Sequence, residues 1–182
     1  MPEENVHLHN YVYSSDMVEF VTAANDFCHF LEQLKGVDGK NFIERSVHLL
    51  SGVYHSILKT GVTEPIYESS GEPTVSEQDW STIYQRIAMV LGAHNEYLRP
   101  ASEDEFDRSD LVTHTISEDM ADVYQELRDF TTVYSRGMEE LMNDAAWEVK
   151  ERFAEHWGKK LIIALNALHT LYTKGIDPTG ED

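Results

Sequence analysis

Apolar residues recur every three or four positions along most of this chain, a spacing that predicts helices. The stretch 16–34 carries Phe20, Ala24, Phe27, Leu31 and Leu34 on one face, with Ser15 as N-cap and Gly36 as stop. A second predicted helix, 39–59, aligns Ile43, Val47, Leu50, Tyr54 and Ile57 and is followed by Gly61. The third, 77–99, has the best start signal. Ser76 caps it, Asp79 completes a variant capping box, and Val75 is placed to staple to Trp80. Pro100 ends it. The fourth, 118–136, follows Ser117 and stops at Gly137, with Met120, Val123, Tyr124, Leu127, Phe130 and Tyr134 sharing a face. The last and longest, 144–174, gathers Trp147, Phe153, Ala154, Trp157, Leu161, Leu165 and Leu168. A short extra turn over Met138 to Asn143 can precede it, and Gly175 and Pro178 finish it.

Two connections stand out. Residues 64–74 hold Pro65, Gly71 and Pro73 and read as an ordered loop, because neither side could build a core alone. Residues 102–110 are acidic, and their Ser/Asp content predicts mobility. His7 to Tyr13 alternates weakly but is too short and isolated to form a sheet, so it reads as a frayed tail. No strand and no internal repeat is predicted. The expected fold class is all-α: an up-and-down bundle of about five helices in a single domain, 1–182.

Charge changes the picture more than composition does. Fourteen Lys and Arg face thirty-three Asp and Glu, a formal net charge of −19. Such a surface repels polyanions, which argues against general nucleic-acid binding and against an anionic membrane face. No apolar run approaches a membrane span, and no basic region followed by an apolar core marks a secretory signal. A soluble cytoplasmic protein is the expectation. Cys28 is the only cysteine, so neither an intrachain disulfide nor a Cys-rich zinc site is expected.

The candidate chemistry lies on the last two predicted helices. Asp119, Asp122, Glu126 and Asp129 recur at i, i+3, i+7 and i+10, forming an acidic stripe beside the apolar face. Neighbours one turn apart can share a cation or shift each other's pKa; the plainer reading is a solvated face near a helix N-terminus. Lys150 falls inside the apolar face of the last helix, His156 stands at its border, and Lys160 lies near it. Antiparallel packing makes Lys150 and His156 natural partners for the stripe. The arrangement is either a polar seam fixing helix register or a pocket rimmed by Tyr97 and Tyr124. The candidate ligand-binding set is therefore Tyr97, Asp122, Tyr124, Glu126, Lys150 and His156.

Nine histidines invite a metal reading, but spacing gives it little support. His48 and His55 are about 10 Å apart along a helix axis. No predicted helix contains H-x-x-x-H or H-E-x-x-H, and neither His94 nor His156 has Glu three residues before it. His94 is expected in the core stripe with Ile87, Leu91 and Leu98. A divalent-metal site would have to combine His94, Asp119, Asp122, Glu126 and His156. There is no Gly-rich phosphate loop and no G-x-S-x-G elbow, and Cys28 has no cation nearby in sequence.

Three segments together carry a resemblance: Phe20-Val21-Thr22-Ala23-Ala24-Asn25-Asp26-Phe27-Cys28, Asp119-Met120-Ala121-Asp122-Val123-Tyr124, and Trp147-Glu148 through His156-Trp157-Gly158 to Ala167-Leu168-His169. They resemble a bacterial family of small helical proteins, found in Bacteroides-like and other bacteria, that is classed as a domain of unknown function. The His-Trp-Gly segment is the most specific piece. The resemblance implies an all-helical domain of bacterial cytosolic origin and transfers no catalytic residue. The leading expectation is a non-enzymatic interaction module without a cofactor, working by self-association or with a protein partner. Its expected contact surface is the acidic stripe and adjoining loop, which suit a basic partner. The alternative is a metal- or small-ligand-binding bundle built on the His/carboxylate seam.

Overall fold

The computed structural model describes residues 2–67, 71–100 and 111–180. Among them, helices α1 (Pro2–Val12), α2 (Ser15–Glu32), α3 (Gly39–Lys59), α4 (Glu77–Leu91) and α5 (Ile116–Tyr134) pack with a long C-terminal rod. That rod is α6 (Glu139–Arg152) and α7 (Gly158–Thr173), joined through a π turn at Phe153–Trp157. Strands β1 (Glu96–Pro100) and β2 (Leu111–Thr115) add a small antiparallel hairpin between α4 and α5. The result is a mostly helical single domain.

Helix α5 lies at the centre and touches α2, α4, α6 and α7. Phe130 of α5 stacks on Phe20 of α2 with ring centroids 5.1 Å apart. Phe27, Leu31, Ile87, Leu127 and Trp157 are fully buried around them. The capping box at Ser76 and Asp79 forms as its sequence predicts.

The third predicted helix ends early. It stops at Leu91 and not at Pro100, because Gly92 takes φ 52°, a backbone region that glycine enters without steric cost. A 3₁₀ turn over Gly92–Asn95 follows. Asn95 pins that turn to the start of α5: its Nδ2 donates to Ser117 Oγ at 2.9 Å, and its Oδ1 accepts the Ser117 N–H at 3.0 Å. The chain then runs as β1, with Tyr97 opposite His114 and Leu98 opposite Thr113. The expectation of no strand is thereby corrected. Ile87, Leu91, His94 and Leu98 imitate a helical stripe, while the β-branched Val112, Thr113 and Thr115 carried the strand signal. His94 is exposed on the turn, and Leu98 is 63% exposed; neither belongs to the core.

Other boundaries shift for local reasons. Residues before α2 form α1, not a frayed tail; Val12 is fully buried, and the Tyr134 hydroxyl donates to its carbonyl. Ser14, not Ser15, caps α2. Thr115, not Ser117, caps α5, because Ser117 is consumed by Asn95. The last rod begins at Glu139, five residues before the expected start. The acidic loop expected at 102–110 lies outside the described residues. Among those described, no helix is long and apolar enough to cross a membrane.

Candidate functional site

The acidic stripe of α5 is real, and its members are held by several parts of the fold. Asp119 is almost completely buried; it accepts the Tyr97 hydroxyl from β1 and lies 3.3 Å from Lys160 Nζ on α7. Lys160 also reaches Asp122 at 3.1 Å, and Asp122 accepts the Trp80 indole N–H at 3.0 Å. Burial opposes the charge on Lys160, but Asp122 and Asp119 outweigh it and hold its pKa above the ordinary lysine range. Burial and the Asp119 carboxylate together push the Tyr97 phenol up.

One turn further on, Glu126 meets Arg152 at 2.7 Å, with His156 Nδ1 more distant at 3.8 Å. Burial raises the Glu126 pKa, and Arg152 opposes that rise. Asp129 ends the stripe by accepting the Thr74 and Val75 backbone N–H groups at 2.6 and 2.8 Å, which ties the segment before α4 to α5. A cavity of about 180 Å³ lies beside Glu126, Asp129 and Arg152.

The predicted ligand set does not converge on one pocket. Tyr97 does reach Asp119, and His156 does face Glu126. Tyr124 is buried and turns toward α2, donating to Glu32 Oε1 at 3.0 Å; Glu32 in turn meets Arg128 at 2.5 Å. Lys150 does not meet the stripe. Its ammonium donates to the Thr60 and Gly61 carbonyls at 2.7 and 2.6 Å, just past the end of α3. The cations that serve the stripe are Lys160 and Arg152. His94 stands apart on its exposed turn. Among the described residues no three His, Cys, Asp or Glu side chains are gathered to hold a metal ion, so His94, Asp119, Asp122, Glu126 and His156 do not close around one. Cys28 is fully buried, and burial pushes its thiol up.

A second polar cluster lies outside the residues that the sequence pattern singles out. Asn143 and Asp144 are buried on α6, and both face the loop after α3. Asp144 accepts the Ile66 and Tyr67 backbone N–H groups at 2.7 Å each, one on each carboxylate oxygen. Asn143 donates to the Glu64 carbonyl at 2.8 Å and accepts the Thr63 hydroxyl. Tyr11 of α1 donates to the Gly61 carbonyl at 3.3 Å, and burial pushes its own pKa up to about 12. With Lys150, these residues hold the backbone of loop 60–67 at Thr60, Gly61, Glu64, Ile66 and Tyr67. The available signal was an Asn-Asp pair between Met142 and Ala145, at the start of the expected helix 144–174.

What that loop displays is apolar. Val62 is 88% exposed, Tyr67 62% and Ile66 46%. Together with Leu8 and Tyr11 they line an open cleft of about 910 Å³ between α1, the loop and α6.

Comparison with known proteins bears on identity, not activity. The crystal structure of protein BF1032 from Bacteroides fragilis is similar, with a TM-score of 0.77 and 29% sequence identity, over 89% of this chain and 98% of that one. No curated protein matches. Residues 11–174 match a domain of unknown function, DUF5063. The chain belongs to that DUF5063 family, across nearly its whole length.

Proposed function

We propose that this protein is a non-enzymatic helical interaction module of the bacterial cytoplasm, engaging a protein partner through the surface presented by loop 62–67. One observation carries the reading: buried Asp144 and Asn143 are spent on holding the loop backbone while its apolar side chains stay in water. Buried polar groups are costly unless fully bonded, and a loop free to relax would turn Val62 and Tyr67 inward. A rigid loop that keeps them outward has the features of a recognition surface. The acidic stripe, the surface first expected to meet a partner, is occupied by Tyr97, Lys160, Trp80, Arg152 and the Thr74–Val75 backbone.

The test is native mass spectrometry of the protein recovered gently from its own cells, for wild type and a Val62→Asp/Tyr67→Asp variant. A second polypeptide mass on wild type that is lost from the variant is the expected result. A stoichiometric metal or small-molecule mass in its place overturns the reading.

A further inference from the structure

We infer that the cleft between α1, loop 62–67 and α6 accepts a basic amphipathic segment of a partner protein, an inference that rests on the interaction-module reading above. Two independent features of the cleft define the occupant. The first is its apolar lining, Leu8, Tyr11, Val62, Ile66 and Tyr67, in a volume of about 910 Å³. That is room for several side chains of the kind an amphipathic helix offers at i, i+3, i+4 and i+7.

The second feature is charge. Glu64 and Glu140 line the same cleft, and neither carboxylate enters an ion pair among the described residues. The nearby cation, Lys150, is committed to the Thr60 and Gly61 carbonyls, and Glu139 is beside His9. An occupant with Lys or Arg flanking its apolar face would pair with this rim, and the field of a chain carrying −19 would speed its approach. The same charge argues against a second copy of this chain, which would set one acidic rim against another. It argues equally against nucleic acid or an anionic bilayer.

The probe is a fluorescein-labelled Leu/Lys peptide designed as an amphipathic helix, followed by anisotropy. The controls are a Leu/Glu peptide of the same pattern and a Ser/Lys peptide of the same charge without leucine. Wild type is expected to bind the Leu/Lys peptide, and Val62→Asp/Tyr67→Asp to weaken it by roughly tenfold or more. That variant is more acidic than wild type, so attraction by net charge alone would tighten binding. Glu140→Lys is expected to weaken binding severalfold, whereas Met89→Asp, at an 82% exposed site on α4, leaves it within about twofold. Both cleft changes are on the surface, and unchanged melting temperatures confirm that the variants fold.

Binding that is unaltered or tighter in Val62→Asp/Tyr67→Asp overturns the inference, as does equal binding of the Ser/Lys or Leu/Glu peptide. A dimer in sedimentation that Val62→Asp dissolves replaces it with self-association. Absence of Leu/Lys binding, with a partner mass still lost from the variant in native mass spectrometry, removes the basic occupant but leaves the interaction module standing.

Discussion

Asp144→Ala is the sharpest test of how the presented loop is held. The carboxylate is fully buried, and its two oxygens take the Ile66 and Tyr67 N–H groups at 2.7 Å. A hydrogen bond to a charged acceptor contributes about 1.5–3 kcal/mol, so two set an upper range of about 3–6 kcal/mol. Ile66 and Tyr67 are themselves exposed, and water can take over part of what is freed. The expected loss is therefore roughly 2–4 kcal/mol in urea unfolding. At about 2–4 °C per kcal/mol for a chain of this size, the melting temperature should fall by roughly 5–15 °C. Asp144→Asn keeps one acceptor oxygen but turns an NH₂ group toward the other N–H, so its loss should be at least half as large. Hydrogen exchange reports the mechanism directly: the Ile66 and Tyr67 amides should lose protection in both variants, while amides of α5 keep theirs. A loss below about 0.5 kcal/mol with Ile66 and Tyr67 still protected would refute the reasoning, because the loop would then be held by something else.

Three further outcomes are expected. Gly158→Ala should destabilise by about 1–3 kcal/mol in thermal unfolding although alanine favours helices, because an added Cβ would lie 2.5 Å from the Phe153 carbonyl oxygen that closes the π turn; a stabilised variant would contradict this. Lys160→Met should cost about 2–4 kcal/mol by leaving buried Asp119 without its cation, and adding Asp119→Asn should recover more than half; unrecovered loss would locate the role of Lys160 in packing. Glu126→Gln should lie within about 1 kcal/mol of wild type at neutral pH. Burial raises the Glu126 pKa, so the folded state holds that proton more tightly and wild type loses stability as pH rises from the ordinary glutamate range through the raised value. The variant should accordingly gain on wild type between acidic and neutral pH in urea titrations; a gap that moves the other way would show that Arg152 outweighs burial.

Much of the fold was legible because the apolar period of 3.6 survives in α2, α3, α5 and the last rod, and each has a recognisable stop. The hairpin was not. Leu91, His94 and Leu98 keep helical phase across a chain that has already turned at Gly92, and no local pattern records that Asn95 will bond to Ser117. The π turn was equally hidden, although its residues Phe153–Trp157 lead directly into Gly158, in the most specific segment of the family resemblance. A regular helix predicts the same apolar face, and only the crowding of Gly158 against Phe153 shows why glycine stands there.

The candidate site was half legible for a related reason. A helical projection places Asp119, Asp122, Glu126 and Asp129 on one side of α5, but it cannot say which elements arrive there. The partners come from β1, α4, the segment before α4, and the last rod. Lys150, seven residues before Trp157, has the right character to join them and is instead drawn to the free carbonyls after α3. These commitments alter what the net charge means. Of the fourteen cations, Arg128, Lys150, Arg152 and Lys160 are taken up by contacts between elements, and the acids Glu32, Asp119, Asp122 and Glu126 are taken up with them. The excess of acids therefore stays with the rest of the chain, and the cleft beside loop 62–67 is a place where that field meets an exposed apolar surface. A partner must satisfy both at once, which is why the decisive variant adds negative charge to the cleft while removing its apolar contact.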